Sequence, residues 1–77
     1  MKEFRVSIRS FADVREFVSL ATVQPFRVLV GSEALRVNAK SFIGMVNLDF
    51  TRPLQVWCDG DAEGVQKFRR QVGRFLA

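Results

Sequence analysis

The chain interleaves two kinds of apolar spacing within 77 residues. In some stretches apolar residues alternate with polar ones, which is typical of a strand with one buried face; in others they recur every three or four positions, as in an amphipathic helix. The first kind predicts strands over residues 2–9, 26–30, 35–37 and 54–59, and the second predicts helices over residues 11–22, 42–48 and 62–76. The predicted order is therefore βαββαβα.

Residues that favour helix starts and turns lie between these stretches. Ser10, Ser41 and Asp61 precede the three predicted helices, and the side chains of Ser and Asp accept hydrogen bonds from the free amides of a first helical turn. A turn over residues 31–34 separates the second and third predicted strands, and it begins with glycine. We expect those two strands to form an antiparallel hairpin.

This order predicts an α+β domain, an open-faced sandwich with a four-stranded antiparallel sheet and three helices on one face. We expect one domain over residues 1–77, because the chain is too short for two cores. The spacing alone also allows a ferredoxin-like domain. The expected buried stripes are Phe11, Val14, Phe17, Val18 and Ala21 on the first helix and Val65, Phe68, Val72, Phe75 and Leu76 on the last.

The residue inventory argues against catalysis. The sequence has no histidine and a single cysteine, Cys58, which lies in the inward phase of its predicted strand. Nucleophilic, acid–base and metal chemistry need an activated base or several converging ligands. We therefore expect no enzyme activity, no cofactor and no metal site. The N-terminus is charged and no apolar run approaches the ~18 residues of a membrane span, so we expect a cytoplasmic protein without a membrane partner.

The net charge of +4 raises nucleic acid as an alternative partner. Four basic residues on the last predicted helix would carry that function together with Trp57, which is expected on the uncovered face of the sheet with Arg27, Leu29 and Gln55. The basic residues are Lys67, Arg69, Arg70 and Arg74. The ordinary alternative for the helix is a solvated face. For the sheet residues it is a locally packed patch, which we favour over a second binding surface.

The short helix over residues 42–48 is unusually apolar. Met45 and Leu48 are three residues apart and form the natural inward pair. Phe42, Ile43 and Val46 then remain on the other sides, which predicts an exposed apolar surface unless a loop or the first helix covers them.

The segment Val37-Asn38-Ala39-Lys40-Ser41-Phe42-Ile43-Gly44-Met45-Val46-Asn47-Leu48 resembles the most recognisable segment of HPr, the histidine-containing phosphocarrier of the bacterial sugar phosphotransferase system. The resemblance implies the HPr fold. It also implies that Ser41 is a regulatory phosphorylation site, whereas helix capping alone would explain a serine there equally well.

The resemblance further implies protein partners. The family docks its kinase, phosphotransferase and regulator partners on positions that match Lys40, Phe42, Ile43 and Val46. The family's Gly-x-His-Ala-Arg-Pro loop, which carries the phosphoryl acceptor, is replaced here by Arg9-Ser10-Phe11-Ala12-Asp13-Val14-Arg15. We therefore expect a protein-binding regulatory domain of a pathway related to the phosphotransferase system, one that cannot carry phosphate on histidine.

Overall fold

The structure, a computed structural model, describes residues 2–77. Four strands form one antiparallel sheet in the order β1-β4-β2-β3, and three helices pack on one face of it. The strands are β1 (Lys2–Val6), β2 (Val28–Gly31), β3 (Arg36–Asn38) and β4 (Leu54–Cys58). The helices are α1 (Phe11–Thr22), α2 (Phe42–Met45) and α3 (Ala62–Gln71), followed by a short 3₁₀ helix, Gly73–Phe75. The predicted fold class and element order are confirmed.

The observed boundaries agree best with the predictions where a side chain caps a helix. The first helix has the predicted bounds, and the Ser10 hydroxyl accepts a hydrogen bond from the Asp13 amide at 3.1 Å. The Asp61 carboxylate caps α3 in the same way through the Gly64 amide at 2.7 Å. In both cases the cap accepts from a backbone amide that has no partner within the helix.

The first strand and the last helix end earlier than predicted, and both corrections involve the end of the chain. The first strand stops at Val6 rather than at residue 9, and the Ser7 amide then donates to the carbonyl of Phe75 at 2.7 Å. The last helix stops at Gln71 rather than at residue 76. Beyond it the backbone tightens into the 3₁₀ helix, which begins at the weak helix former Gly73.

The hairpin between β2 and β3 turns at Gly31. Its φ is +151°, and a Cβ there would lie 2.0 Å from the carbonyl oxygen of Leu35. Only glycine avoids that clash at this φ. The Ser32 amide then donates to the same carbonyl at 2.9 Å, and β3 begins one residue later than predicted. Leu35 consequently lies in the turn, where 48% of it is exposed.

The core between sheet and helices is built around phenylalanine. The ring of Phe68 from α3 meets those of Phe4, Phe17 and Phe26 edge to face, with centroids 5.9 to 6.1 Å apart. Phe17 also contacts Phe75 at 6.0 Å. Edge-to-face geometry is the preferred arrangement for such pairs, so α1, α3 and β1 are held by favourable aromatic packing as well as by burial. The buried stripe predicted for the last helix is thereby confirmed at Phe68 and Phe75.

Candidate functional site

Ser41 opens α2 as a helix cap. Its hydroxyl accepts a hydrogen bond from the Gly44 amide at 3.2 Å, and its carbonyl accepts from the Met45 amide at 3.0 Å. The predicted capping role is confirmed. The residue is exposed, so its hydroxyl is accessible from solvent while it caps the helix.

The inward side of α2 is the predicted one. Met45 is fully buried and Leu48 is 9% exposed, and both belong to the main core. The helix itself ends at Met45 rather than at residue 48, and the Leu48 amide donates to the Met45 carbonyl in a turn that continues it. This short helix with its following turn therefore buries two anchors, Met45 and Leu48.

Two of the three remaining side chains are exposed as predicted. Ile43 is 76% exposed and Phe42 is 39% exposed. Val46 differs, because it is half-buried and packs against the core. It nevertheless lies beside Phe42 on the helix surface, four residues along the chain, and its amide donates to the Phe42 carbonyl at 3.0 Å.

Phe11 extends this surface, and sequence reasoning misplaced it. We predicted it in the buried stripe of α1, but 70% of it is exposed. As the first helical residue it lies beyond the part of α1 that packs on the sheet. Its ring instead lines a shallow cleft of about 310 Å³ together with Val46 and Phe50. The sequence did contain one indication of this exposure, since Phe11 directly follows the capping residue Ser10. An apolar residue at the very start of a helix need not be covered by another element, even when it continues a buried stripe.

We refer to five apolar side chains at the start of α1, on α2 and in the segment that follows α2 as the apolar patch. Its members are Phe11, Phe42, Ile43, Val46 and Phe50.

Near the apolar patch, the acidic side chains form ion pairs and two of the basic ones do not. Arg74, in the 3₁₀ helix, contacts Asp13 at 3.1 Å and Glu16 at 2.6 Å on α1. The amide of Arg9 donates to Asp13 at 3.1 Å, and this bond, with the Arg74 guanidinium, lowers the pKa of the Asp13 carboxyl. Within residues 2–77 the side chains of Arg9 and Arg15 form no ion pair. The α1 side of the patch is thus cationic.

Lys40 does not extend over the patch. It is half-buried, and its ammonium donates to the carbonyl of Gln24 at 2.8 Å, just past the end of α1. Its backbone amide is held by the Asn38 side chain at 2.9 Å. These bonds tie the loop before α2 to the loop after α1, and a role for Lys40 in partner binding stays a prediction.

On the outer face of the sheet, Trp57 belongs to a locally packed patch, which is the favoured one of the two predictions. Only 6% of the residue is exposed. The guanidinium of Arg36, on β3, lies 4.0 Å from the centre of the indole ring and covers it. Arg27 is exposed as predicted, while Leu29 and Gln55 are half-buried.

The basic residues predicted for the nucleic-acid alternative do not join Trp57. Lys67, Arg69 and Arg70 lie on α3, which packs against the opposite face of the sheet, and Arg74 is paired with carboxylates of α1. The basic helix and Trp57, which the nucleic-acid alternative would use, therefore lie on opposite faces of the sheet.

Cys58 is a core residue, as predicted. It is fully buried on the inward side of β4, and burial raises the pKa of its thiol to about 11. A thiol with such a pKa is protonated at neutral pH and is a poor nucleophile. No helix within residues 2–77 has the length and apolar character needed to span a membrane.

Comparison with known proteins supports the fold. The crystal structure of HPr-C-His from Thermoanaerobacter tengcongensis matches with a TM-score of 0.75 and 22% sequence identity, covering 95% of this chain and 92% of that chain. The protein has an HPr-like fold. No protein-family model matches the sequence, and no curated protein matches it either.

Proposed function

We propose that this protein is a non-catalytic, HPr-like binding domain that acts in the bacterial cytoplasm, in a pathway related to the phosphotransferase system. Its partner is another protein, either a kinase, a transcription regulator or a phosphotransferase component. The observation that carries the proposal is the exposure of Phe42 and Ile43 beside the Ser41 cap, within an HPr-like fold whose sequence has no histidine.

The absence of histidine supports the non-catalytic part of the proposal. Carriage of phosphate on an imidazole is impossible in this sequence. The connection from β1 to α1 ends in Ser10, whose hydroxyl accepts from the Asp13 amide, and Phe11 follows it. The single thiol in the sequence, that of Cys58, is buried, and its pKa is raised. These residues favour a surface that binds over one that transfers a phosphoryl group.

The apolar patch supports the binding part. Phe11 and Ile43 are each more than two-thirds exposed, on neighbouring helices of a domain with only 77 residues. Phe11 shares a cleft with Val46, which follows Phe42 by one helical turn. Large exposed apolar side chains grouped in this way mark interaction sites. Burial in a complex would remove it from water, which favours association.

We further propose that phosphorylation of Ser41 regulates this binding. The hydroxyl is exposed and lies next to Phe42 in sequence, so a phosphate there would add a charge of about −2 at the edge of the patch. A partner would have to desolvate that charge or pair with it. Phosphorylation would therefore change affinity much more than it changes the fold.

Capture of a partner from the native cytoplasm tests the binding function. We expect wild type to retain one specific protein that Phe42→Glu loses. Leu35→Glu is the matched control, because Leu35 is 48% exposed and lies in the hairpin turn rather than in the patch. Equal capture by all three proteins would contradict the proposal.

Intact mass tests the non-catalytic part. Incubation with phosphoenolpyruvate and enzyme I should leave the mass unchanged, because no imidazole is present to form a phosphoramidate. A stoichiometric, acid-labile gain of one phosphate would show that another residue carries the group.

A further inference from the structure

We propose that a cleft beyond the C-terminal end of α1 binds a small aromatic carboxylate. The cleft has a volume of about 540 Å³ and lies between the segment that follows α1 and one side of α3. Pockets for small molecules usually measure about 300–1,000 Å³ and have apolar walls with a few polar groups. The cleft shares no residue with the apolar patch, and its function does not depend on the protein partner proposed above.

One wall of the cleft is apolar and includes an aromatic ring held in a fixed position. Val23, Pro25 and Phe26 form this wall, and 74% of Val23 is exposed. The Phe26 ring meets that of Phe68 edge to face at 6.1 Å, and a Cβ at Gly60 would lie 2.5 Å from it. Because Phe26 is only half-buried, part of this ring remains open to the cleft. A flat apolar ligand would therefore meet a preorganised wall, which lowers the cost of binding.

The α3 side of the cleft supplies hydrogen-bond donors. Lys67 and Gln71 both line the cleft and are four residues apart, so they lie on the same side of the helix. Within residues 2–77 the Lys67 ammonium forms no ion pair. The side-chain oxygen of Gln71 accepts from the side-chain amide of Gln24 at 2.9 Å, which leaves the Gln71 amide nitrogen available as a second donor. An ammonium and an amide N–H beside an apolar wall complement a carboxylate.

The charges around the cleft favour an anion over a cation. Asp61 is the one acidic residue among the lining residues that the structure describes. Its carboxylate caps α3 by accepting from a backbone amide at 2.7 Å, and the positive end of the helix dipole lies beside it. Lys2 adds a second ammonium next to the cleft, where it donates to the carbonyl of Gly60 at 3.1 Å. The charge on Lys67 is therefore left for a ligand.

An NMR titration tests the proposal with a panel of phenyl-, indolyl- and naphthylalkanoates, each compared with its neutral amide and with the amine of the same length. We expect the acids to cause saturable shifts of the backbone amides of Val23, Gly60 and Gly64. The neutral amides should bind about two- to fivefold more weakly, as is usual for the loss of one exposed charge pair. The amines should bind more weakly still.

A first pair of variants tests the charge on α3. Lys67→Gln should remove the preference for the acid, so that an acid and its amide bind equally. Arg69→Gln is the matched control, because it removes the same charge from an exposed residue of α3 that does not line the cleft. Two residues along a helix, its side chain lies on the other side of α3 from Lys67. This control should keep the preference for the acid.

A second pair of variants tests the apolar wall. Val23→Asp should weaken binding of the acids, because it replaces part of the wall with a like charge. Leu35→Asp makes the same change at a residue of the hairpin turn that is 48% exposed, and it should leave binding unchanged. Circular dichroism should show native helix content in all four variants, because each alters an exposed residue.

Three results would overturn the proposal. The first is the absence of saturable shifts in the cleft with every acid of the panel. The second is binding of the amides or amines as tightly as the acids, and the third is an equal effect of the two variants in either pair.

Discussion

The eight phenylalanines divide the molecule into a closed side and an open side. On the closed side, where α3 and the 3₁₀ helix meet α1, Phe17, Phe68 and Phe75 are at most 2% exposed. On the open side, where α2 meets the start of α1, Phe11 and Phe42 are 70% and 39% exposed. The difference shows that residue type alone does not assign a phenylalanine to the core. A phenylalanine is buried only where another helix or strand packs over it.

Whether a phenylalanine of α1 is covered depends on the length of the helix that lies beside it. The third helix and the 3₁₀ helix together extend along α1, so their phenylalanines meet those of α1 from the other side. The second helix has four residues, and it and the turn that follows fully bury little more than Met45 and Leu48. It is too short to cover both its own apolar residues and the first turn of α1. The same apolar composition thus makes a core on one side and an exposed patch on the other.

The largest expected effect is the difference in stability loss between a substitution on the closed side and one on the open side. Phe68→Ala should lower the free energy of unfolding by about 3–5 kcal/mol, because it leaves a cavity among three other rings. Phe11→Ala should change it by no more than about 0.5 kcal/mol, as is usual at exposed positions. Urea unfolding of both variants measures the contrast. Similar losses would mean that the two sides do not differ as described.

Replacement of the α2 cap gives an intermediate effect. Ser41→Ala should cost about 1 kcal/mol, because the Gly44 amide loses its acceptor. Ser41→Asp should remain close to wild type in stability, since Asp also caps helices, yet it should alter partner affinity by about 1–3 kcal/mol. Thermal melts and binding titrations on the same samples test both statements. Unchanged affinity with Ser41→Asp would reduce Ser41 to a helix cap.

The boundaries of the helices could be predicted from the sequence where residues next to the boundary determine them. The three caps, the bounds of α1 and the order of elements all follow from residues close together in the chain. The errors arise where the exposure of a residue depends on elements that are distant from it in the chain. Periodicity placed Phe11 in the α1 stripe but could not show that nothing packs over it. It placed Trp57 on the outer face correctly but could not foresee Arg36 reaching the ring from β3.

The smallest expected effect concerns Asp13, whose carboxylate accepts a hydrogen bond from the Arg9 amide and pairs with Arg74. The pKa of Asp13 is lowered from 3.8 in the folded protein, so its carboxylate stabilises the fold above the unfolded pKa and loses that effect as the pH falls through the folded pKa. Wild type should therefore exceed Asp13→Asn in urea midpoint at neutral pH. The difference should shrink once the pH drops below 3.8. A difference independent of pH would exclude this carboxylate as its source.

Photo-crosslinking in the native cells tests most directly whether the open side is a protein-binding surface. A photoreactive phenylalanine analogue placed at Phe42 should crosslink to one specific protein. The same analogue placed at Arg70, on the exposed face of α3, should not. We therefore predict a single crosslinked species, from position 42 alone. No species from position 42, or the same species from both positions, would contradict it.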